Sequence, residues 1–267
     1  MGNPSPENTS TENTLVSAAT EPTGQGSSDW MESIQSLTMT VVIAVFVITF
    51  LVQAFQIPSE SMEKTLLIGD YLLVDKLHFG GINDASSLVP YRQVQRGDTV
   101  VFHYPIDPSK HFVKRVIGVP KDRIRLMNRQ VWVNGAPLHE SYVHIKGLPE
   151  DVFRDNFPRL DFLSAGIDAH WVLALREHID RGELVVPPGH YFVMGDNRDD
   201  SSDSRYWGFV PEGNIIGRPL LIYWSIRNAD GDLQATTTLG DRISHFLYVF
   251  THLFQVTRWD RTFRVPR

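Results

Sequence analysis

The chain has 267 residues, 42% apolar and 21% charged, enough for a large globular domain with its own core. It contains no cysteine, which excludes disulfide frameworks, zinc–thiolate sites, iron–sulfur clusters and cysteine nucleophiles. The net charge of −6 is concentrated in residues 1–36, where Glu7, Glu12, Glu21, Asp29 and Glu32 stand with no Lys or Arg, so the remainder is almost neutral and lacks the basic footprint of a nucleic-acid binder.

Residues 1–28 are rich in Ser, Thr, Asn, Gly, Glu and Pro, and too poor in apolar surface to order themselves. A disordered acidic tail over 1–36 is the expectation. Leu37 to Phe55 then reads LTMTVVIAVFVITFLVQAF, and no charge falls between Glu32 and Glu60. Nineteen residues at about 1.5 Å each span roughly 28 Å, close to a bilayer's hydrocarbon core. A transmembrane helix over 37–56 is therefore expected. The missing positive n-region and the position of the run argue against a cleaved signal peptide. Charge does not orient the helix, because the first basic residue of the chain is Lys64.

Beyond the helix the signals are mostly β. Tyr71–Val74, Asp98–Phe102, Phe112–Val119, Gln130–Val133, His190–Met194 and Leu220–Ile226 are short runs rich in Val and aromatics, separated by Gly-Asp, Gly-Gly, Asn-Gly and Pro-Pro-Gly turns. Trp132-Val-Asn-Gly135 reads as a type I′ hairpin. The fold class expected is mainly antiparallel β over residues 57–267. Residues 139–188 differ in texture, with some helical character, and read as an insertion. Over 241–257, Ile243, Phe246, Leu247, Phe250, Leu253 and Phe254 form a helical stripe. It fits an amphipathic segment on a membrane surface, or a terminal helix on the domain's own core.

Familiar catalytic motifs are absent: H-E-x-x-H, G-x-S-x-G, a P-loop and G-x-G-x-x-G. His139 and His144 lie close in sequence, but catalytic zinc needs three protein ligands, so no metal site or cofactor is expected. Three segments stand out. Gln56 to Leu66 places Ser59 and Ser61 directly after Pro58. His111 to Pro120 places Lys114 and Arg115 inside an apolar strand, where alternation turns one of them toward an apolar interior. A Lys buried that way has a lowered pKa and can act as a general base. Gly195 to Pro211 combines small, charged and aromatic residues in a manner suited to a hydrogen-bonded loop. Each also has a plain reading: Ser61 as a helix cap, Lys114 as a snorkelling strand residue, the loop as architecture.

Together, PSESMEKTLLIGDYLLVDK at 58–76, RGDTVVF at 96–102, KRVIGVPKD at 114–122 and GDNRDDSSDSRYWGFVP at 195–211 closely resemble, in order, the boxes of the bacterial type I signal peptidases. The resemblance implies a membrane serine endopeptidase that removes signal peptides after small residues of the A-x-A type. It implies a Ser61 nucleophile and a Lys114 general base, with Ser59 and the Ser61 N–H as oxyanion donors. Ser201 would orient Lys114, and Asp203 with Arg205, and Asp196 with Arg115, would form supporting ion pairs. Phe55, Ile57, Met62, Leu66, Leu72, Phe112 and Val113 fall at substrate-pocket positions. Preproteins, the lipid bilayer and the secretion translocon are the implied partners. The implied location is the bacterial inner membrane, with the N-terminus cytoplasmic and catalysis on the exported side. Glu60 and Lys121 depart from the family, which often has Gly there; Glu60 is expected to face solvent.

Two rivals carry different tests. Ser61-Met-Glu-Lys64 fits the S-x-x-K of penicillin-binding proteins and β-lactamases, but their partner motifs are missing. A membrane-anchored β module that binds peptides without cutting them is the other.

Overall fold

A computed structural model describes Gly2 and residues 26–47, 51–76, 92–161, 166–227 and 251–266. The chain divides into residues 1–45 and 46–267. In the first unit, helix α1 runs over Gly26–Phe46, so residues 26–36 of the expected tail are helical. The helix stops ten residues short of the expected end, and Val52–Gln56 is a strand, β1. The sequence there alternates (Val-Gln-Ala-Phe-Gln), and pairing with β2 (Asp70–Asp75) satisfies its backbone, with Phe55 opposite Leu72. The first half of α1 carries Asp29, Glu32 and several Ser, so no helix among the described residues is long and apolar enough to cross a membrane. Of the expected span 37–56, residues 37–46 are helical and residues 52–56 are instead the strand β1.

The second unit is built from antiparallel strands, as expected. Besides β1 and β2 these are β3 (Thr99–His103), β4 (His111–Gly118), β5 (Arg123–Met127), β6 (Gln130–Val133), β7 (Ala136–Pro137), β8 (Ile179–Asp180), β9 (Glu183–Val185), β10 (His190–Met194), β11 (Val210–Pro211) and β12 (Ile215–Ser225). One sheet has the order β1-β2-β12-β3-β4-β10-β11 and the other β7-β6-β5-β9-β8. The Trp132–Gly135 hairpin is type I′: Asn134 and Gly135 take φ of 54° and 79° between paired Val133 and Ala136. Asn128-Arg129 and Arg181-Gly182 close two more hairpins with the same pair of positive φ values.

The 139–188 region holds two short helices, α2 (Val152–Asp155) and α3 (Ala169–Leu175), capped by Asp151 and Asp168. Its strands β8 and β9 complete the smaller sheet, and Phe153, Phe157, Trp171 and Leu175 bury into the core under it. Helix α4 (Ser204–Trp207) follows the 195–203 loop. Of the expected segment 241–257, residues 241–250 lie outside the described residues; Leu253–Val256 form one helical turn, α5, and residues 257–264 return along β12.

Candidate active site

The first wall of the site is the turn after β1. Glu60–Met62 is a single 3₁₀ turn, with Ser59 at its N-cap position making no capping bond. Met62 and Leu66 are fully buried beside Ile57, Leu72, Val74, Val101 and Ile222, which pins the turn to the larger sheet. Ser61 stays at the surface of this anchor, and the Ser59 and Ser61 hydroxyls lie 3.4 Å apart.

The second wall is β4, a central strand between β3 and β10. Lys114 is 4% exposed, and its Nζ donates to Ser61 Oγ at 2.5 Å. Burial pushes the Lys114 pKa down to about 8; the Asp203 carboxylate pulls up, Arg205 pushes further down, and Asp196 pulls up. Alternation predicted one inward-facing base of the pair Lys114–Arg115. Both are buried, because β4 is covered on both faces. Arg115 grips Asp196 with two bonds of 2.7 Å and lies 3.9 Å from the Tyr142 ring centre.

The third wall is the 195–205 loop. A Cβ on Gly195 would stand 2.5 Å from the Ser61 carbonyl and 2.3 Å from Ser201 Oγ, so only glycine permits this approach. The Asn197 N–H donates to the Ser61 carbonyl at 3.1 Å. Asp203 and Arg205, both fully buried, form a two-pronged ion pair at 2.8 Å, and the Gly195 N–H donates to Asp203. Burial works to raise the Asp203 pKa, but Arg205 beside it holds it below the usual range. Ser201 differs from expectation. Its Oγ is buried with no hydrogen-bond partner and makes no bond to Lys114.

These walls enclose an open cleft of about 630 Å³. Phe55, Ile57, Met62, Phe112 and Val113 line it with Ser59, Ser61 and Lys114. Leu66 and Leu72 do not: both are wholly buried beneath its floor, so their expected place in a substrate pocket is corrected to core packing. Val101, His111, Asp200 and Ser202 also line the cleft and escaped sequence reasoning. The cleft wraps the exposed start of β4, so residues from both strand faces reach it, and period-two alternation hides His111.

The departures also have places. Glu60 is exposed, as expected, and its carboxylate pairs with Lys146. Lys121 has φ of 76°, a conformation glycine adopts without strain. Lys64 donates to the carbonyls of Ser141 and Val143, away from Ser61. No group of three or more His, Cys, Asp or Glu that could hold a metal occurs among the described residues.

Residues 30–224 match the model of the signal peptidase, peptidase S26 family. The chain belongs to this family. It is 35% identical over 191 residues to signal peptidase I of Pseudomonas fluorescens and 37% over 194 residues to that of Pseudomonas aeruginosa. Each alignment covers 66% of this chain and 66% of the relative, just under two thirds of that protein's length. A solved signal peptidase I from Enterococcus faecalis V583 is 30% identical, over 48% of this chain and 97% of that one, with a TM-score of 0.34. The peptidase family thus spans all three walls of the cleft, from the Ser61 turn through β4 to the 195–205 loop.

Proposed function

We propose that the protein is a serine endopeptidase that removes signal peptides from exported preproteins, cutting after small residues of the A-x-A type. The observation that carries this is the 2.5 Å contact between Ser61 Oγ and a buried Lys114 whose pKa is lowered to about 8. Neutral Lys114 accepts the Ser61 proton as the hydroxyl attacks the scissile carbonyl. The Ser61 N–H and the Ser59 hydroxyl hold the oxyanion; losing one such donor costs about 2.7–4 kcal/mol. An acyl-enzyme forms, the mature protein leaves with the proton from Lys114, and water releases the signal peptide.

The Ser201 hydroxyl, buried and without a hydrogen-bond partner, is proposed to take up Lys114 once Ser61 turns to substrate. The Asp203–Arg205 and Asp196–Arg115 pairs fix the loop and strand that carry these groups. The apolar lining from Phe55, Ile57, Phe112 and Val113 suits a peptide with small or medium apolar side chains. Residues 37–46 of α1 expose Leu37, Met39, Val41, Val42, Ile43, Val45 and Phe46, an apolar surface for the bilayer in which signal peptides are held. This surface supports a location at the bacterial inner membrane, and with the family's resemblance we propose the catalytic unit on the exported side near the translocon.

The S-x-x-K rival needs Lys64 at Ser61, whereas its ammonium is taken by two backbone carbonyls. The test is cleavage of a preprotein with an A-x-A site by the full chain in detergent, with the new N-terminus read by mass spectrometry. A cut after the small residue, lost in Ser61→Ala, is expected. An intact preprotein, shown competent with another peptidase, would sink the reading.

A further inference from the structure

The segment 140–146 lies at the start of the region that the sequence reading set aside as an insertion. It makes a turn at Ser141–Tyr142, closed by the Val143 N–H to the Glu140 carbonyl, and then passes along the 195–205 loop. Glu140 forms an ion pair with buried Arg198. Tyr142 covers Arg115 and donates to Glu140. His144 pairs with Asn197 by a parallel backbone bridge, its N–H donating to the Asp196 carbonyl at 2.8 Å and its carbonyl accepting from Arg198 N–H at 2.9 Å. Lys146 reaches both Glu60 and Asp200, joining the nucleophile turn to the 195–205 loop. Lys64 crosses from the other side, its ammonium 2.9 Å from the Ser141 carbonyl and 3.3 Å from that of Val143.

Lys64 also has φ of 81°, three residues after Ser61. A left-handed backbone at a residue with a Cβ persists only where its surroundings over-determine it. The surroundings of Lys64 are the strap carbonyls. The Ser61 turn is also held by the Met62 and Leu66 anchors below, which set its depth, by the Asn197 N–H and amide, and at its far end by Thr65, which bonds Asp196 and Arg261. At its rim Lys64, Glu60 and Glu63 meet residues 141–146, Glu63 lying 3.8 Å from His144 Nε2, and these contacts set its rotation about that anchor.

Resting on the function proposed above, we infer that residues 140–146 are a positioning strap for the nucleophile. Lys64 and Lys146 are its two clasps, and they act through Ser61 rather than on substrate. The lysine of the S-x-x-K motif thus has a role, as an anchor and not as a base.

The test compares Lys64→Gly, Lys64→Met, Lys64→Arg and Lys146→Met in the full chain. Two readouts are taken: kcat and KM for the A-x-A preprotein, and hydrogen exchange of the peptide spanning 60–66. Glycine relieves the backbone strain but removes the clasp, so it separates the two. Expected for Lys64→Gly, Lys64→Met and Lys146→Met are at least a tenfold fall in kcat, KM within twofold, and faster exchange confined to 60–66 and 196–200. Lys64→Arg should restore most of kcat. Wild-type kcat in Lys64→Gly would overturn the inference, since only the φ value would then matter. So would unchanged exchange at 60–66 in all variants. If the wild type fails to cut the preprotein, the functional reading falls, and exchange alone decides the strap.

Discussion

At the scale of single residues, chemistry at neutral pH turns on one amine. Lys114 has an ordinary value of 10.5, lowered to about 8 by burial. A base must be unprotonated, so kcat/KM for cleavage should rise with pH and level off above about pH 8. A profile flat from pH 6 to 10 would remove Lys114 as the base. Glu60 does not disturb this, because its carboxylate is drawn to Lys146 at the rim. Lys121 illustrates a different consequence of a single position. Its φ of 76° lies where glycine is unstrained, and its N–H is bonded to the Val186 carbonyl at 2.8 Å.

At the scale of elements, the segment 257–264 has the largest consequence for the site. It lies beside β12, and Arg261 passes under the turn that follows Ser61. Its Nη2 donates to the Thr65 carbonyl at 3.0 Å and to Asp70 at 2.6 Å, with Asp70 fully buried. Arg258 adds two bonds to the Ile68 carbonyl. Removing one partner of a buried pair leaves a charge uncompensated. Arg261→Met should therefore cost about 3 kcal/mol in denaturant unfolding, toward the low end of that effect because Ser225 and the Leu67 N–H still satisfy Asp70. A loss below about 0.5 kcal/mol would show the clamp to be idle. The strands β2, β3, β4, β6 and β10 were legible because Val and aromatic runs between turn residues need no tertiary context. The strand β1 was not. Its residues continue an apolar run, and only the edge of β2, fifteen residues or more downstream, makes an extended conformation better than a helical one. Ser61 and Lys114 could be paired through the family's boxes, but the strap could not, since its partners Glu60, Lys64 and Arg198 lie 58 or more residues away and no motif links them.

At the scale of the whole molecule, Lys114 links folding to pH. Its pKa is about 8 when folded and 10.5 when exposed, so between those values the unfolded chain binds more protons. Stability from this group therefore rises with pH from about 8 to 10.5, and below 8 the buried charge costs about 3 kcal/mol. Lys114→Met should be more stable than the wild type at pH 7 by up to about that amount, with the two curves converging by pH 10.5 in chemical denaturation. An equal difference at every pH would mean that the Lys114 pKa is the same in the folded and unfolded chain, so that burial does not lower it. The trade is between stability and a working base, and the fold bears it in the same core that fixes the Ser61 turn.

The Arg261 clamp has a consequence in time. Arg261 is 196 positions beyond the Thr65 carbonyl it holds. At about 5–20 residues per second, a ribosome takes roughly 10–40 s to travel from one to the other. During that interval the residues of β1 and β2 exist but the clamp does not. The peptidase is thus made with its nucleophile early and its fastening late, and a chain arrested before residue 258 should carry Ser61 without being able to use it.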